Sequence, residues 1–158
     1  MKRTAADIRR ACARVLAMPG YEPNQNGESF CNIALQDILS FLGHADFCID
    51  KNHHTMLAND IAEKLETTCR EVTFNEAFTM ANQGAIVVAA MKLPQHGHVC
   101  IVYPSPGQYT SGKWQRGDVP FVANVGGIDT NGESMNGVRP MNWAFGAKPR
   151  LWLVAENG

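Results

Sequence analysis

Several protein classes are excluded by what this chain does not have. No apolar run approaches the ~20 residues that span a bilayer, and the longest strongly apolar one is confined to residues 85–91. Neither charge sign is gathered: 14 basic against 15 acidic residues leave a formal net charge of −1, which argues against nucleic acid and against a membrane surface as partners. There is no CxxC pair, no HExxH segment, no internal repeat and no low-complexity tract. The five cysteines are odd in number and irregularly spaced. A chain of 158 residues buries roughly two thirds of its unfolded surface without crosslinks, so reduced thiols and a cytosolic origin are expected. The start, residues 1–10, is basic, but Asp7, Arg9, Arg10 and Arg14 leave no room for the apolar core of a Sec leader. A product acting outside the cytosol is therefore expected to be delivered by another route.

What is present reads as a single α+β domain over residues 1–158, with helices gathered in the first half and strands in the second, an antiparallel sheet against a helical layer. Residues 4–18 place Ile8, Ala11, Cys12, Val15 and Leu16 at helical spacing between Thr4 and the Pro19-Gly20 stop. A polar loop, residues 21–28, leads into a second helix over residues 29–42, closed by Gly43. A third covers residues 56–65, and Thr73 with Glu76 forms a capping box ahead of a fourth, ended by Gly84. Residues 85–91 read as a strand covered on both faces; 98–103, 120–125 and 151–154 follow as strands between long Gly-, Pro- and Asn-rich loops. Connections this long are more often functional than idle.

The chemistry centres on Cys31. It lies in the first turn of the second helix, where free N–H groups and the positive end of the helix dipole favour a thiolate, the nucleophilic form. A thiol attacking a carbonyl needs a base, and His98 opens a strand far downstream; His96, two residues earlier and before Gly97, is the second candidate. A cysteine on a helix terminus with a later histidine on a strand is the pattern of papain-like thiol hydrolases. The base needs an orienting acceptor, for which Asn124, polar inside an apolar strand, is favoured over Asp118 and Asp129. The Cys31 N–H is the natural first oxyanion donor, with Tyr21, Gln25 and Asn26 as candidates for the second. Cys100 shares the strand face of His98 and reads as packing, and Cys12 as a core residue. A zinc site built on His96 and His98 with Cys31 or His54 is the rival from the same residues, though without the usual ligand spacing.

Tyr21 and its loop, Cys31-Asn32 opening an apolar helix, Leu57-Ala58-Asn59-Asp60, Gly84 with its strand, and above all Gly97-His98-Val99-Cys100-Ile101-Val102 resemble the NlpC/P60-type cell-wall amidases and endopeptidases. These belong to a papain-like superfamily that includes CHAP-type phage lysins and type VI secretion amidase effectors. The likeness spans roughly residues 21–154; the more usual Asp-Cys-Ser-Gly start is replaced by Ser29-Phe30-Cys31-Asn32. It implies a papain-like NlpC/P60 fold and cleavage of a peptidoglycan amide, in the stem peptide or crossbridge, through a Cys31 thioester, with His98 as base and Asn124 orienting it. No cofactor is implied. Asn59, His96 and Trp114, with Trp143, are expected to contact substrate along a groove edged by residues 21–28, 53–59 and the glycine-rich loops. Action in the periplasm or cell wall after delivery follows, by a phage lysis system or a secretion apparatus, with a protective inhibitor as a further partner. Without a wall-binding module the chain would be the catalytic domain alone. The alternative is a catalytically idle papain-like domain serving as a binding or phage structural module.

Overall fold

The computed structural model describes residues 2–21, 30–112, 114 and 117–158. Helix α1 (Ala5–Leu16) is opened by Thr4, whose hydroxyl accepts from the Asp7 amide while the Asp7 carboxylate accepts from the Thr4 amide at 2.8 Å. Helix α2 (Cys31–Phe41) starts at Cys31 itself; the expected start at Ser29 lies outside the described residues. Helix α3 (Ala58–Thr68) begins two residues later than its periodicity suggested. Met56 is committed elsewhere: its amide donates to the Cys48 carbonyl at 2.8 Å, closing the turn through which Ile49 bridges Thr55. Strand β1 (Arg70–Val72) precedes α4 (Phe74–Asn82), whose Thr73–Glu76 capping box forms as expected. Gly84 follows α4 with φ +92°, and a Cβ there would fall 2.1 Å from the Arg3 carbonyl oxygen, so only glycine fits.

The remaining elements are β2 (Ile86–Met91), β3 (His98–Tyr103), the short hairpin β4 (Tyr109–Thr110) and β5 (Asp118–Val119), then β6 (Phe121–Asn124), β7 (Gly137–Pro140), the single turn α5 (Met141–Ala144) and β8 (Arg150–Ala155). Six strands form one antiparallel sheet in the order β1-β8-β2-β3-β6-β7. The long apolar strands β2 and β3 are central, as residues without polar alternation must be when water reaches neither face.

Alternation along those strands separates two cores. On one face Ile86, Val88, Ala90, Val99 and Ile101 meet Ile8, Val15, Leu35, Ile38, Ile61 and Leu65 of α1, α2 and α3. On the other, Val87, Ala89, Cys100, Val102 and Val122 meet Ala77 and Ala81 of α4 together with Trp114, Met141 and Phe145. The helices are thus split between two faces rather than forming one layer, and each large aliphatic side chain buried contributes roughly 1.5–3 kcal/mol. Among the described residues no helix is long and apolar enough to cross a membrane.

Candidate active site

Three of the helices differ at their N-termini in a way that matters for Cys31. α1 and α4 each carry a capping box with an acidic residue in the first turn. α2 has neither: Phe30 supplies no side-chain cap, and the first turn holds no acidic residue. Among the described residues no carboxylate in that first turn compensates its dipole, the arrangement in which a thiolate or an oxyanion is stabilised rather than repelled. Cys31, only 4 % exposed, sits at that point.

The imidazole of His98, first residue of β3, is in hydrogen-bond contact with Cys31. From the other side its Nε2 lies 2.7 Å from Asn124 Oδ1 and 3.3 Å from Cys100 Sγ, and the Phe145 ring lies against it with centroids 4.8 Å apart. The Asn124 amide can be oriented only one way. Its Nδ2 donates to the carbonyls of Gly126 at 3.0 Å and Met135 at 2.9 Å, so Oδ1 must be the atom that faces His98. An acceptor there requires a proton on Nε2, which leaves Nδ1 as the nitrogen that exchanges a proton with a thiol. Burial alone would lower the His98 pKa; the sulfurs of Cys100 and then Cys31 outweigh it and hold the imidazole well above its ordinary value. An imidazolium beside a cysteine in turn favours the thiolate.

A groove of about 510 Å³ reaches Cys31, lined by the start of α2 (Phe30 to Ile33), the start of α3 (Leu57 to Asp60) and Gln95 to Gly97. Asn59 builds its wall: Nδ2 donates to the Leu93 carbonyl at 2.7 Å and Oδ1 accepts from the Leu93 amide at 3.1 Å. A Cβ on Gly97 would fall 2.2 Å from that same Oδ1, so the residue before His98 must be glycine for the clamp to close.

No protein-family model matches this chain, and no curated protein is significantly similar to it.

The structure brings Cys31, His98 and Asn124 together, and the other expected site residues lie as follows. His96 is exposed and lines the groove. Asn59 lines it too, with its amide spent on Leu93. Tyr21 does not point at the thiol. Its hydroxyl donates to Asp37, six residues along α2 from Cys31 and so about 9 Å up the helix axis. Burial and that carboxylate push the phenol up to about 12. Gln25 and Asn26 lie outside the described residues. Trp114 corrects the expectation of a substrate contact: it is 6 % exposed, packed against Phe74 at 6.1 Å in the core beneath α4. Trp143 is exposed, edge-on to Tyr109 at 6.3 Å. Asp118 bonds Thr110 at 3.0 Å, and Asp129 caps its own turn through the amides of Asn131 and Glu133, so neither takes the place of Asn124. His53 and His54 occupy an exposed turn held by the Asp50 carboxylate. Among the described residues no three His, Cys, Asp or Glu side chains form a cluster able to hold a metal ion.

Sequence reasoning passed over two partners of His98. Cys100 carried the only available signal, its two-residue spacing from His98; Phe145, in an aperiodic loop after α5, carried none.

Proposed function

We propose that this chain is a papain-like thiol hydrolase that cleaves an amide bond of bacterial peptidoglycan. The observation that carries the reaction class is the fixed Asn124 amide, whose Oδ1 takes the Nε2 proton of a ring that is also in hydrogen-bond contact with Cys31. In this reading the Cys31 thiolate adds to the scissile carbonyl carbon, and the oxyanion is met by the N-terminal amides of α2. Collapse of the tetrahedral adduct breaks the C–N bond as the imidazolium gives its proton to the departing amine. A water molecule then adds to the thioester with His98 taking its proton, and a second collapse releases the carboxylic acid and restores the thiolate–imidazolium pair. Asn124 holds the ring in plane throughout. The choice of peptidoglycan rests on the likeness of the Gly97-to-Val102 strand and the Cys31 helix to cell-wall amidases.

The test is digestion of purified sacculi followed by mass analysis of released muropeptides. Wild type is expected to release fragments whose masses identify the bond cut, and Cys31→Ala to release none. Identical profiles from the two proteins would sink the hydrolase and leave the binding module.

A further inference from the structure

Cys100 is the member of the cluster that the roles of nucleophile, base and orienter leave unused. The β3–β6 register pairs Ile101 with Ala123, so one step further along the ladder Cys100 stands opposite Asn124. Its sulfur, on a residue 1 % exposed, lies 3.3 Å from His98 Nε2 and its thiol donates to Asn124 Oδ1 at 3.4 Å. That contact completes the Asn124 amide. Both Nδ2 hydrogens are spent on Gly126 and Met135, one Oδ1 lone pair takes the His98 proton, and the other takes the thiol. Packing does not demand a sulfur here, because Ala89 and Val102 fill neighbouring positions of the same core with hydrocarbon. The sulfur also presents polarisable electron density to the edge of the imidazole on which positive charge develops.

We propose that Cys100 is a positioning residue: by bridging Asn124 Oδ1 and His98 Nε2 it locks the imidazole in the pose from which it pairs with Cys31. This rests on Cys31 and His98 as the reacting pair. The titratable groups acting on His98 are Cys100 from its own strand and Cys31 from α2, while β6 offers the uncharged Asn124 and the segment after α5 the Phe145 ring. Removing the Cys100 sulfur therefore leaves burial, which disfavours the charged ring, opposed by Cys31 alone.

The experiment follows the His98 ring by NMR across pH in wild type, Cys100→Ala and Cys100→Ser, the resonance being assigned by its loss in His98→Gln. The midpoint is expected to fall by on the order of one pH unit in Cys100→Ala and to be restored at least halfway by Cys100→Ser, whose hydroxyl can donate to Asn124 and face Nε2. Should Cys100→Ala not fold, Cys100→Val fills the volume and replaces it. A midpoint unmoved by loss of the sulfur overturns the inference, and so does an equal fall in the alanine and serine variants, since that is the mark of altered packing. The readout needs no substrate. A midpoint that moves as expected in a protein that leaves sacculi intact upholds Cys100 while refuting the hydrolase.

Discussion

The 2.7 Å contact between His98 and Asn124 can be measured as an energy without any substrate. Asn124→Ala removes the partner of four groups at once: the His98 N–H, the weakly donating Cys100 S–H, and the carbonyls of Gly126 and Met135. Each deserted buried group costs about 1–3 kcal/mol, but Met135 is only half-buried, so the whole comes to about 3 kcal/mol. For a chain of this size that lowers Tm by roughly 6–12 °C. Most of this loss has nothing to do with the base, and a double-mutant cycle with His98→Ala isolates the part that does. The expected coupling is about 2 kcal/mol near neutral pH, in the range of hydrogen bonds to a charged group. Because the folded His98 pKa is raised above the unfolded value of about 6.5, its extra stabilisation is fully present below that pH and is lost as pH rises through the folded value. Urea titrations of all four proteins, followed by circular dichroism, should therefore give a larger coupling at about pH 6 than at about pH 10; ionisation of the thiols remote from His98 and Asn124 is common to the four and cancels in the cycle. A coupling below about 0.5 kcal/mol at the lower pH, or one that grows on raising it, would refute both the contact and the charge assigned to the ring.

Four further substitutions separate scaffold from chemistry. Tyr21→Phe deletes the hydroxyl that donates to Asp37 and should cost about 1 kcal/mol in chemical denaturation while leaving sacculus digestion within a few-fold of wild type; a loss approaching 100-fold would restore Tyr21 as an oxyanion donor. Gly97→Ala drives a methyl into the Asn59 clamp, with an expected cost of roughly 1–3 kcal/mol and loss of digestion; wild-type melting would show that the clamp yields freely. Trp114→Ala should cost about 3–5 kcal/mol from the buried face, against under ~0.5 for Trp143→Ala on the surface, and a reversal of that order in thermal melts would contradict the second core.

The parts of this fold legible in the sequence are those whose signal is local. The Thr73–Glu76 capping box and the Thr4 cap of α1 were readable because each is specified within four residues, though the return bond from Asp7 was not read, and β3 was readable because Gly97 and Pro104 bracket an uninterrupted apolar run. Strand β1 was not: Arg70-Glu71-Val72 has no strand pattern of its own and exists through pairing with β8, where Arg150 reaches Glu71 at 3.0 Å. Nor was β7, whose Gly137-Val138-Arg139-Pro140 is extended because β6 supplies a ladder. Trp114 was misplaced because nothing within its glycine-rich loop reveals that Phe74 and α4 lie beneath it. At the site, Cys31, His98 and Asn124 were each identifiable by residue type and context. The proximity of Cys100 to Asn124 was not, because it depends on the β3–β6 register, which no hairpin turn fixes.

The sheet register also has a consequence for folding order. His98 stands 26 residues from Asn124 in sequence, and β6 meets β3 only across the long excursion that carries the β4–β5 hairpin. The loop after β6 is fastened in turn to the opposite end of the chain, with Asn136 Nδ2 donating to the Tyr21 carbonyl at 2.9 Å across 115 residues. Contacts of such separation are made late, after the local helices have formed. A chain emerging from synthesis, or threaded unfolded through a narrow passage, thus carries the Cys31 thiol without its imidazole partner. In the folding order these separations favour, Cys31, His98 and Asn124 meet only as the sheet closes.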